Sequence, residues 1–115
     1  MRIVIYNFEK VTDGMQHYGR RLSNGETLLE RQLRLLMELG VREIAIAGDQ
    51  ALYEYAGACV KERRDMKKLS ISKFMPELSF DEDDRVLLIE SNLLFTAEIL
   101  KDMYQTCLLY TSDAA

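Results

Sequence analysis

The chain alternates short aliphatic or β-branched runs with longer stretches whose apolar positions recur every three or four residues. Arg2–Tyr6 (RIVIY) is dense enough in β-branched residues for a buried strand. The spacing of Leu28, Leu29, Leu33, Leu36 and Leu39 predicts a helix within Gly25–Gly40, with Gly40 as its terminator. Glu43–Ala47 (EIAIA) is a second short buried strand, closed by Gly48 and by Asp49, a helix-capping type. The following helix, Gln50–Arg63, carries Ala51, Leu52, Tyr55, Ala56, Cys59 and Val60 on one stripe, which makes Cys59 a packing residue. Lys68–Phe74 (KLSISKF) alternates as a strand near a sheet edge does. Pro76 and the acidic run at 81–84 read as a solvated loop, and Arg85–Glu90 (RVLLIE) as a further buried strand. A last helix, Thr96–Tyr104, puts Ala97, Leu100 and Met103 on one side.

Strands alternating with helices in this way predict βαβ units, hence an α/β fold with a three-layer, Rossmann-like parallel sheet. Right-handed crossovers favour the spatial strand order 3-2-1-4. In such a sheet, ligands bind beyond the carboxyl ends of the strands where the order reverses, here between the first strand and the fourth. The loops leaving those strands are Asn7–Asn24, longer than a structureless connection usually is, and Glu90–Phe95. The candidate site residues follow: Asn7, Gly14, Gly19, Arg20 and Arg21 on the first loop, Glu90 and Asn92 on the second.

Composition narrows the function classes. With 115 residues the chain suits one domain, and a formal net charge of −4 argues against a nucleic-acid footprint. No apolar run approaches the roughly 20 residues that span a bilayer, and no signal peptide opens the chain, so a cytoplasmic location without membrane contact is expected. Two cysteines and one histidine make neither a disulfide framework nor a zinc site. The string CLLYTSDAA at 107–115 reads as a translated transposon-end adapter of the kind used in shotgun DNA libraries. It predicts that the native sequence departs from this chain after Gln105 or Thr106, that 1–106 is the amino-terminal part of a longer protein, and that 107–115 pack on nothing specific. Cys107, Tyr110 and Asp113 are set aside as functional candidates on that ground.

The stretch Asn24-Gly25-Glu26-Thr27-Leu28-Leu29-Glu30 and the sequence RQLRLLMELGVREIAIAGDQ after it resemble the sugar-phosphate and choline-phosphate nucleotidyltransferases. There a phosphate-binding loop leads to an NGKTLLE-Q---L---GI-EI-I-TGY pattern. Leu33, Leu36, Gly40, Val41, Ile44, Ile46 and Gly48 fit it in register. Arg85–Phe95 (RVLLIESNLLF) resembles the family's D-LL-GDLLF. The resemblance implies the nucleotide-binding half of a nucleotidyltransferase domain over 1–106. Its activity would be transfer of a nucleoside monophosphate from NTP to a phosphorylated sugar, choline or polyol acceptor, with release of pyrophosphate and with Mg²⁺ as cofactor. NTP and a small phosphorylated acceptor are then the partners.

The chain departs from that pattern at both signatures. Its first loop has only Gly14 and Gly19 before Arg20-Arg21 and lacks the family's Pro-Lys pair, so either arginine stands as the phosphate-contacting and catalytic cation. Asn92 falls where the family has its metal-binding Asp, with Glu90 nearby as a substitute carboxylate. An amide oxygen is a weaker Mg²⁺ ligand than a carboxylate. A nucleotidyltransferase-like protein that binds or regulates without catalysis therefore stands beside the enzyme. An unrelated doubly wound binding module is the third reading. The bland readings are a solvated arginine pair, a turn at Asn24-Gly25, a surface His17 and a simple strand end at Glu90.

Overall fold

The computed structural model describes residues 2–7, 17–48, 50–75 and 85–112. Its elements in order are β1 (Arg2–Tyr6), a 3-10 turn (His17–Gly19), α1 (Leu28–Glu38), β2 (Glu43–Ala47) and α2 (Gln50–Glu62). A second 3-10 turn (Arg64–Met66), β3 (Ser70–Lys73), β4 (Val86–Glu90) and α3 (Ala97–Ser112) complete it. The four strands form one all-parallel sheet in the order β3-β2-β1-β4, the expected order. The fold is α/β with Rossmann-like topology. β1 is central, with Ile5 opposite Ile46 of β2 on one side and Ile89 of β4 on the other.

Side-chain alternation along the strands decides where the core sits. Ile3 and Ile5, Ile44 and Ile46, and Leu87 and Ile89 share one face and are buried. That face packs on Leu29, Leu33 and Leu36 of α1, Leu52, Ala56 and Cys59 of α2, and Leu100 of α3 in a single cluster. α1 touches both α2 and α3. All three helices therefore lie on one side of the sheet, so the described residues make two layers, not the three expected. Successive right-handed crossovers in one direction put α1 and α2 on the same face, and the α1–α3 contact adds α3 to it. The opposite face carries Val4, Tyr6, Ala47, Val86 and Leu88 around an open hollow of about 590 Å³. Leu88 is 57% exposed there and Val86 38%.

Local signals set the element ends. Thr27 caps α1, its Oγ1 accepting from Glu30 N at 3.2 Å and from Tyr55 Oη at 2.9 Å. At the other end Gly40 takes φ +98°, Gly40 N donates to Met37 O, and Val41 N donates to Leu36 O. That is the two-bond left-handed termination which a residue without Cβ adopts most readily. The strands and helices otherwise differ from expectation at their edges. β3 is shorter than Lys68–Phe74, although Phe74 N still donates to Ile46 O. Ala51 is exposed and off the buried stripe of α2. Asp49 and the acidic run at 81–84 lie outside the described residues.

α3 continues past Tyr104 to Ser112. No Gly or Pro interrupts 97–112, so nothing in that stretch stops a helix. Cys107 is half-buried against the core, which corrects the expectation that nothing beyond 106 packs. Leu108 is exposed. No helix among the described residues is long and apolar enough to cross a membrane.

The one-sided core makes a testable contrast. Leu36→Ala, fully buried under the sheet, should cost about 2–5 kcal/mol. Leu88→Thr, on the open face, should change stability by less than about 0.5 kcal/mol. Urea unfolding midpoints of the two variants check both figures.

Candidate functional site

The register of β1 against β4 assembles the crevice at the reversal of strand order. Tyr6 pairs with Glu90, and Ser91 N donates to Tyr6 O at 2.9 Å. The next residues are thereby brought side by side: Asn92 Nδ2 donates to Asn7 Oδ1 at 3.3 Å. Asn7 is only 2% exposed, and its backbone N–H donates to Ala47 O at the end of β2. Asn92 lies in the turn after β4, not on the strand, and its backbone N–H donates to Glu90 Oε1 at 3.4 Å. Asn7, Glu90 and Asn92 thus meet, as the strand order implies. Strand alternation does not extend to Asn92; the contact runs from its own backbone to the Glu90 carboxylate.

The basic pair is placed differently. Tyr18 is buried and its ring lies 5.7 Å from that of Tyr55, which anchors the end of the first loop on α2. From there Arg21 bridges to Thr27, and its guanidinium donates to Gly25 O at 2.7 Å. Arg20 is exposed. Among the described residues no hydrogen bond or ion pair joins either guanidinium to Asn7, Glu90 or Asn92. Gly19 has no positive φ and has room for a Cβ, so its backbone makes no demand for glycine. Gly14 lies outside the described residues, as does the side chain of His17. Asn24-Gly25 is a turn: Gly25 N donates to Leu22 O, Gly25 has φ +90°, and Asn24 Oδ1 accepts from Glu26 N.

Sequence reasoning missed two residues on which the site is built. Gln32 occupies a core position of α1, and its Nε2 reaches Glu90 O at 3.1 Å, Ser91 O at 3.3 Å and Leu93 O at 2.8 Å. A polar residue inside the Leu28, Leu29, Leu33, Leu36 stripe was the available signal. Glu26 is the second. Its side chain is 13% exposed, with Arg34 at 2.8 Å and Arg63 at 2.9 Å. Those two guanidiniums outweigh the burial and hold its carboxyl at about 2, well below the usual carboxylate range. Arg63 also reaches Glu30 and Asp65, so α1, the loop before it and the end of α2 are clasped together. Burial pushes the Cys59 thiol up to about 11, which keeps it protonated and unreactive.

The donor set at the crevice is one carboxylate and two carboxamides, and Asn7 Oδ1 already accepts from Asn92. No group of three or more His, Cys, Asp or Glu among the described residues could hold a metal. A hard dication that favours carboxylates and water fits this set poorly. No family model, curated protein or solved structure matches the chain.

Two outcomes follow from this geometry. Gln32→Leu removes the donor that three carbonyls share, of which Glu90 O keeps Leu93 N, and should cost about 1–3 kcal/mol, with amide-exchange protection lost first at 91–95. Glu26 has a folded-state pKa below its ordinary 4.5, so its contribution is full above pH 4.5 and is lost as pH falls towards 2. Across that window the wild type should lose on the order of 2 kcal/mol more than Glu26→Gln, as read from urea midpoints at each pH.

Proposed function

We propose that this chain is the nucleotide-binding half of a nucleotidyltransferase-like protein, and that the crevice between β1 and β4 takes a nucleoside triphosphate. The observation that carries this reading is the convergence of Asn7, Glu90 and Asn92 at the reversal of strand order, where open parallel sheets bind ligands. The resemblance of NGETLLE and ESNLLF to the family's patterns adds the ligand class. Carboxamides suit a nucleotide as neutral donors and acceptors.

The geometry favours binding without metal-dependent transfer by these residues, because the Asn92 amide is bonded to Asn7 and contributes no carboxylate. The second reading is transfer of a nucleoside monophosphate to a phosphorylated sugar, choline or polyol. It rests on the sequence resemblance and needs carboxylates from outside the described residues. Among the described residues of the first loop Arg20 and Arg21 are the cations available to a triphosphate, and the Arg20 guanidinium makes no hydrogen bond there, its backbone carbonyl alone accepting from Leu28 N.

NTP titrations with and without Mg²⁺ test this. Wild type should bind with an affinity that Mg²⁺ changes less than about threefold, and Arg20→Ala should weaken it about tenfold or more. Asn92→Asp should make binding tighten with Mg²⁺, since it restores a carboxylate. Absence of saturable binding for every NTP, or unchanged affinity in both Arg20→Ala and Arg21→Ala, would remove the reading. Pyrophosphate release with Mg²⁺ and phosphorylated acceptors would move it to the catalytic alternative.

A further inference from the structure

A second concavity lies beside the crevice, between the turn at Leu22–Asn24 and the segment Leu94–Thr96 that leads into α3. It measures about 390 Å³, and Arg31 forms part of its wall, a volume within the usual range of small-ligand sites. Arg31 differs from its neighbours on α1 and α2. Arg34 and Arg63 are both ion-paired to Glu26, whereas the guanidinium of half-buried Arg31 makes one hydrogen bond among the described residues, from Nη2 to Phe95 O at 2.9 Å. A partly desolvated guanidinium with no ion pair among the described residues is a cation whose remaining N–H groups favour an oxyanion.

The rest of the wall fits such a group. Thr96 Oγ1 accepts from Ile99 N at 3.1 Å, which leaves the hydroxyl proton to donate outward. Asn24 uses its Oδ1 and one amide hydrogen on Glu26, and the second amide hydrogen is left over. Glu26, the nearest acid on the turn, is neutralised by its two arginines. Glu98, exposed in the first turn of α3, does not line the hollow. Leu22 and Leu94 supply apolar surface, and Leu94 is 64% exposed.

We propose that this hollow binds a small oxyanion carried on an apolar body, a phosphomonoester or a carboxylate, with Arg31 as the charge-bearing contact. The site lies at the far ends of the two crevice loops but shares no residue with the Asn7, Glu90 and Asn92 cluster, and it does not depend on the nucleotide reading: its contacts lie at residues 22–24, 31 and 94–96.

Amide-resolved NMR titration of the labelled chain with phenyl phosphate, benzoate and inorganic phosphate tests it. Phenyl phosphate should give saturable shifts at Ser23, Asn24, Thr96 and Ala97, with inorganic phosphate several-fold weaker because it lacks the apolar body. Benzoate acting at the same amides identifies the wider oxyanion class, and its failure beside phenyl phosphate identifies a phosphomonoester. Arg31→Met should weaken phenyl phosphate at least about tenfold. Arg31→Lys, which keeps the charge, should fall between the two and guards against a folding defect in the first variant. A Kd above about 20 mM for both organic probes, or equal affinity in wild type and Arg31→Met, would overturn the proposal. Equal affinity for inorganic and phenyl phosphate would overturn the apolar part of it. Nucleotide binding is read at Asn7 and 90–92, so either reading can fail without the other.

Discussion

A single amide nitrogen ties the helical layer to the end of the sheet where the candidate crevice lies. Gln32 Nε2 has two hydrogens and faces three carbonyl oxygens, those of Glu90, Ser91 and Leu93, so at least one hydrogen is shared. Those carbonyls lie at the end of β4 and in the turn after it, and Glu90 O has a second donor in Leu93 N. Buried backbone oxygens without donors are costly, and here the donor comes from α1. Arg31, the residue before it, does the same for Phe95 O at 2.9 Å. Two consecutive side chains of α1 therefore hold the β4 turn, and the position of Asn92 against Asn7 depends on them.

The same helix is fixed at its start by charge. Glu26 receives Arg34 from about two turns further along, on α1, and Arg63 from just past the end of α2, at 2.8 and 2.9 Å. A Lys at that position would set a like charge against the two guanidiniums. With Glu the loop end is drawn onto the helices, and Asn24 is held by the same carboxylate at 3.0 Å. Tyr55 adds a neutral link through Thr27 Oγ1. The geometry of the Leu22–Asn24 turn is thus an outcome of electrostatics across three segments, not of the turn residues alone.

Much of the fold was legible because the hydrophobic pattern is local. RIVIY, EIAIA and RVLLIE are apolar runs of strand length, the Leu28–Leu39 spacing is helical, and the crossover rule then orders the strands. Asn24-Gly25 announced its turn and Cys59 its place in a buried stripe by the same local logic. What was not legible was tertiary. Gln32 bonds to residues about 60 positions away, and Glu26 to an arginine 37 positions away. The one-sided helical layer depends on where α3 packs, which its own weakly patterned sequence does not state. Arg20 and Arg21 were placed by loop position, yet the loop end is set by the tilted contact of the Tyr18 and Tyr55 rings and by the Arg21–Thr27 bridge, and among the described residues neither guanidinium bonds to Asn7, Glu90 or Asn92.

Asn92 is best understood through Asn7. The bond between them needs one donor and one acceptor, and two carboxamides supply both without charge. A carboxylate at 92 would present Asn7 Oδ1 with another acceptor, and beside Glu90 it would add a second negative charge within two residues of the first. Both are unfavourable beside buried Asn7 unless a cation balances them. The neutral pair therefore needs no counter-ion to hold its hydrogen bond. The corner between β1 and β4 is fixed by that bond and by the Gln32 amide on the carbonyls of Glu90, Ser91 and Leu93, so its geometry is set by neutral groups of this chain.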